Sequence, residues 1–232
     1  GVSPITMDDL TSGFNIGDNI CMDADINEIM GFTAPEVENI IEYYREAGMI
    51  HHSTPELMDI MSTWYNNYRF SRDAETCLFN PVQVMYFLKE YFKKSGVPLD
   101  MVDQNFRIDY HKLRHFLVLN QQGTMKTNGN FSVLKTIIEK RSIISAVEKG
   151  FPVEKLTKPD NFVSLLYYFG LLSISGIDEA KDIILKIPNE TIKKLYYDYF
   201  KETLEETHNF TLEKADYSGL MKEMAFRGDW QP

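Results

Sequence analysis

The chain has 232 residues, of which 44% are hydrophobic and 25% charged, with a formal net charge of −10. This composition belongs to a folded globular protein and excludes collagen-like, low-complexity and disordered classes. No stretch reaches the roughly 18 apolar residues of a membrane span, residues 1–20 lack a basic start followed by an apolar run, and Cys21 and Cys77 are too few for a disulfide scaffold, so a reducing cytoplasm is the expected compartment.

Helix-start signals dominate the first hundred residues. Thr33 and Glu36 have capping-box spacing, with Phe32 placed to staple onto Val37, and predict a helix over 34–47 that Gly48 stops. Ser53 and Glu56 repeat the box around Pro55 and open a second helix through Leu57, Ile60, Met61 and Trp64. Asn80-Pro81 is an N-cap followed by Pro at the first helical position, which predicts a third helix to about Lys94. Helical spacing continues from Asp109 to Leu119 and is broken by the polar run 120–130, after which Asn130 is expected to cap a further helix. Residues 162–169 are apolar on every side and predict a buried helix whose Leu165, Leu166, Tyr168 and Phe169 are core. Two β-rich runs, 171–175 and 183–187, flank a polar turn and read as a hairpin. Asn189 then caps a long helix, and a last one is expected over about 211–225.

The fold expected from these elements is mainly α: a helical lid-like bundle over 1–128, then a winged-helix-like unit with one short β-hairpin and C-terminal helices over 129–232.

Charge is distributed unevenly. Residues 1–106 sum to −11, residues 107–149 to +5 and residues 150–232 to −4. A polyanion would therefore have to meet the middle, where Lys135, Lys140 and Arg141 are the candidate contacts alongside Arg107, Lys112, Arg114 and Lys126. Such runs are more often ordinary surface, and the same cations better suit a solvated helix face that balances the acidic start.

No complete catalytic motif is present. The string Gly123-Thr124-Met125-Lys126-Thr127 has Met where a phosphate-cradling loop needs its second Gly. Asp23-Ala24-Asp25-Ile26-Asn27 opens like a calcium loop but has Glu28 at the sixth position and Ala34 at the twelfth, so it reads as a polar turn. His111 and His115 share a helix face without the Glu of a zinc hydrolase, His51, His52 and His208 stand apart from them, and Glu179-Ala180-Lys181 falls in the hairpin turn. The aromatic clusters continue apolar helical stripes and read as packing before stacking platforms.

The strings GVSPITMDDLTSGFN (1–15), GFTAPEVENIIEYY (31–44), WYNNYRF (64–70), LFNPVQVMYFL (78–88), NFRIDYHKLRH (105–115), FPVEKLTKPDNFVSLLYYFGLL (151–172) and LKIPNETIKKLYYDYF (185–200) resemble, in order and spacing, an AAA-ATPase-like family of bacterial proteins. Its members usually join an N-terminal P-loop ATPase to a C-terminal nuclease-like domain of the PD-(D/E)XK type. In them the Walker segments precede the GVSPIT string, so the resemblance implies that this chain corresponds to the middle, post-sensor part. It implies a non-catalytic lid or transmission module with no cofactor of its own, ATP and Mg in the intact parent, and the parent's ATPase core and nuclease-like domain as partners. It also implies that Ser3, Thr6 and Arg69 lie near the nucleotide. Arg69 equally suits an anchor for the turn holding Tyr65 and Tyr68. The alternative is a winged-helix nucleic-acid or protein-interaction domain, including self-association through aromatic faces. Residues 160–205 carry 5 basic and 8 acidic side chains, and the helix at 161–169 has no cation, which makes sequence-specific nucleic-acid binding the less expected use.

Overall fold

The computed structural model describes residues 5–6, 20, 22–104 and 129–208. The expected helices at 109–119 and 211–225, the Gly123–Thr127 string, Ser3, Cys21, His111 and His115 lie outside those residues.

Local capping chemistry sets the first three helices. The Glu36 carboxylate accepts from the Thr33 backbone N–H at 2.8 Å and from its hydroxyl at 2.9 Å, starting α1 (Ala34–Glu46), and Gly48 at φ 73° turns the chain out of it. The Ser53 hydroxyl accepts from the Glu56 N–H and opens α2 (Thr54–Tyr65). Asn80 Oδ1 accepts from the Gln83 N–H at the head of α3 (Pro81–Lys94), where the left-handed residue at the far end is Ser95. Val37 and Ile41 of α1, Leu57, Met61 and Tyr65 of α2, and Val84, Phe87, Leu88 and Tyr91 of α3 close one apolar core. Tyr91 also fastens the loop before α2: its hydroxyl accepts from the His51 and His52 N–H groups and meets His52 Nδ1 at 2.6 Å.

The second half is built around a small antiparallel sheet. Helix α4 (Gly129–Lys140) leads through Arg141, at φ 59°, into β2 (Ser142–Ile144), and α5 (Pro159–Tyr168) leads into the hairpin of β4 (Ser173–Ile177) and β5 (Ile183–Lys186). Strand β5 lies between β2 and β4. A two-residue strand, β1 (Ile5–Thr6), pairs in parallel with β3 (Phe151–Pro152), and α6 (Glu190–His208) follows the sheet. Leu134 and Ile137 of α4, Phe162, Val163, Leu165 and Leu166 of α5, Ile174 and Leu185 of the sheet, and Ile192, Leu195, Tyr196 and Tyr199 of α6 form a second core. The described residues are thus mainly α, with a three-stranded antiparallel sheet and a short two-stranded parallel one.

Several local expectations are corrected. Asn130 lies inside α4, and its buried amide donates to the Leu156 carbonyl at 3.4 Å in place of capping the helix. The hairpin acquires a third strand, β2, because Ser142, Ile143 and Ile144, just after the left-handed Arg141, extend along β5. Leu165 and Leu166 are core, whereas Tyr168 is half-buried and Phe169 is 36% exposed, since α5 ends at Tyr168 and the chain turns outward at Gly170, φ 71°. The calcium-like string forms a short 3₁₀ helix, Ala24–Met30, capped by Asp23.

Candidate functional site

The two cores are joined by a strip over residues 64–80, and its sequence explains why it is neither helix nor regular strand. Asn66 and Asn67 end α2, with Asn67 in the left-handed region at φ 73°, a conformation that Asn tolerates better than most residues. The chain then doubles back so that Tyr68 and Leu78 exchange backbone hydrogen bonds of 3.1 and 2.8 Å. On one side Phe79 exchanges bonds of 3.1 and 2.7 Å with Phe32. On the other, the Ile174 N–H donates to the Arg69 carbonyl at 3.3 Å and the Arg69 N–H donates to the Ser173 hydroxyl at 2.9 Å. A ladder of backbone groups thus runs from the entry of α1 to the edge strand β4.

Side chains tie the strip more tightly. Tyr167 of α5 donates its hydroxyl to the Phe70 carbonyl at 2.6 Å. From the head of α6, Asn189 Nδ2 donates to the Asn66 carbonyl at 2.9 Å and the Thr191 hydroxyl donates to the Trp64 carbonyl at 2.8 Å. Buried Asn27 accepts from the Phe70 N–H at 2.9 Å and donates to the Thr76 carbonyl at 3.1 Å. Tyr68 and Leu78 pack in the second core although both precede it by more than fifty residues in sequence. Burial pushes the Tyr68 hydroxyl up to about 12, against opposing hydrogen bonds from Asn189 and Asn80.

Arg69 sits at the centre of this strip. Its Nε donates to the Ile174 carbonyl at 3.1 Å and its Nη1 to the Ala74 carbonyl at 3.3 Å, so the guanidinium clamps β4 to the 69–74 loop. Thr6 is elsewhere, its backbone opposite Pro152 in the two-stranded pair. Of the basic residues, Lys135 is exposed on α4 and 3.7 Å from Glu139, Lys140 is the last residue of the helix, and Arg141 is exposed just after it. Arg141 also lines a cleft of about 10 Å³ with Ile138, Ile187, Lys193, Tyr196 and Tyr197, which is about one water's space. A larger cleft of about 330 Å³ lies at the start of α5, lined by Glu148, residues 150–152, Lys155, Lys158, Asp160 and Asn161. Here Asp160 accepts from the Ser145 hydroxyl at 2.9 Å.

The junction roles of Asn27, Asn189, Thr191 and Tyr167 were not read from the sequence. Each bonds a main-chain group far away along the chain, a relation that periodicity and capping patterns do not encode. Comparison of the chain with protein-family models, curated proteins and solved structures returns no match.

Proposed function

We propose that this chain is a non-catalytic transmission module of an AAA-ATPase-like protein, coupling the nucleotide state of a P-loop core to a C-terminal nuclease-like domain. The observation that carries the reading is the hydrogen-bonded strip that joins the helical bundle to the hairpin unit through Phe32, Phe79, Leu78, Tyr68, Arg69 and Ile174. The strip bonds main-chain groups of both packed cores and is therefore the route by which a displacement of one would reach the other. The second body is read as winged-helix-like, supported by the order helix α4, strand β2, helix α5, hairpin β4–β5, and by β5 lying between its two neighbours.

The nucleic-acid reading is disfavoured by burial. In a winged-helix reader the second helix lays polar and cationic side chains into the major groove. Here every residue of α5 from Asn161 to Tyr167 is buried, and Tyr167 is spent on the Phe70 carbonyl. In the same reading Arg69 serves the coupling as a clamp between the bodies. Nucleotide and Mg belong to the parent's core.

The test is the coding sequence upstream of Gly1. A G-x-x-x-x-G-K-[ST] string between a predicted strand and helix is expected there, and an upstream region without one would replace the family assignment.

A further inference from the structure

The strip that joins the two cores, and the first turn of α3 beside it, bury polar atoms that meet no partner. Gln83, in the first turn of α3, is 1% exposed, and both Oε1 and Nε2 are enclosed without a hydrogen bond. Arg69 Nη2 is enclosed and unmet as well, although Nε and Nη1 of the same guanidinium are bonded. The two residues lie at either end of one short path: Arg69 is next to Tyr68, Tyr68 pairs with Leu78, and Asn80 holds the Gln83 N–H.

An apolar side chain would fill the Gln83 site without burying a donor and an acceptor that the surroundings leave unmet. A buried group left unmet holds unfavourable energy, and an element with a second arrangement can relieve it there. We propose that this strip, together with the first turn of α3, is such an element. The arrangement described above is its strained state, and the other frees the Gln83 amide and the Arg69 guanidinium to bond as the head of α3 shifts against the β4 edge. This deepens the transmission-module reading by naming the part that moves. It can be tested on this chain alone, without nucleotide, so its failure leaves the upstream-sequence test of that reading untouched.

The experiment is Gln83→Leu in the 232-residue chain, read by thermal unfolding and by native-state hydrogen exchange. Removing the unmet amide should raise Tm by at least about 2–4 °C for a chain of this size. It should also slow exchange of the Tyr68, Leu78, Phe79 and Asn80 amides about tenfold while the α4 amides of Leu134 and Ile137 keep their rates, because the openings suppressed are local to the strip. If the leucine's branch prevents folding, Gln83→Met, unbranched and close in volume, gives the same reading. An unchanged or lowered Tm means that the amide is satisfied and overturns the proposal. So does slowing spread evenly over both cores, which would mark a simple gain in global stability.

Discussion

At the scale of single residues, packing around the strip is tight enough to give distinct outcomes. A Cβ built on Gly31 would stand 2.7 Å from Leu78 Cβ and 3.0 Å from the Phe79 carbonyl oxygen. The backbone there is extended, so space and not conformation selects glycine. Gly31→Ala is expected to destabilise by about 1–3 kcal/mol as an overpacking change, checked by urea unfolding. A variant as stable as the parent would mean that the Phe32–Phe79 pairing gives way easily. Leu166, 3% exposed in the second core, is a cavity site, and Leu166→Ala should lose roughly 2–5 kcal/mol. A melting temperature within a degree of the parent's would show that α5 is not packed as described. Two buried phenols add a pH dependence. Burial raises the Tyr68 hydroxyl to about 12, and the Tyr65 hydroxyl is raised too, chiefly by burial and then by the charges of Tyr86 and Asp100. A group whose folded value exceeds its unfolded one contributes stability that is full below the unfolded value, 10.0 here, and is lost as pH climbs through the folded one. Thermal stability should therefore fall steeply between pH 10 and about 12, followed by circular dichroism. A flat profile in that window would show that neither hydroxyl is held neutral by the fold.

At the scale of elements, the sequence was most legible where a signal is short-range. The α1, α2 and α3 starts follow from Thr33, Ser53 and Asn80, each with its partner three residues on and a Pro in the first turn. The buried character of α5 follows from an apolar run with no polar face, and Asn189 caps α6 as expected, its Oδ1 accepting from the Ile192 N–H at 3.1 Å. Strand β2 was missed because three residues carry no alternation to detect; only its pairing with β5 makes it a strand. Asn130 was misread for a related reason, since an Asn before an apolar run looks the same whether its amide caps the helix or reaches to Leu156. The strip was least legible of all. WYNNYRF can be seen to break a helix, but its partners are Leu78, Ser173, Asn189 and Thr191, fixed only once both cores close. Of the candidate site residues, the sequence pointed to Arg69 as either a phosphate sensor or a turn anchor, and the structure gives it two main-chain carbonyls. Asn189→Ala removes both a cap and the tie to Asn66. It should lose about 1–2 kcal/mol, more than Asn189→Asp, which keeps the acceptor for Ile192. Equal losses in the two variants would mean that only the bond to Asn66 matters.

At the scale of the whole molecule, charge and burial together set what the chain can bind. Cations are concentrated in the middle of the sequence, and the helix that a winged-helix reader would use is enclosed. Sequence-specific DNA binding is therefore not expected. Any association through Lys135, Lys140 and Arg141 should fall with salt at about 0.9 log units per log unit for each phosphate contacted. Fluorescence anisotropy with mixed-sequence duplex and single strands at low and near-physiological salt tests this. Submicromolar affinity that survives the higher salt and disappears on charge reversal at those three residues would make the basic edge the site and displace the transmission reading.

The placement of Tyr68 and Leu78 in a core completed by residues up to Tyr199 has a consequence for how the protein is made. Their partners in α5 and α6 leave the ribosome about a hundred residues later, which at ~5–20 residues per second is on the order of ten seconds. During that interval the first three helices can gather around their own core, while Tyr68, Leu78 and the main-chain edge at Arg69 wait without their final neighbours. A nascent chain stalled near residue 150 would present that uncovered edge to whatever lies nearby, a second nascent copy included.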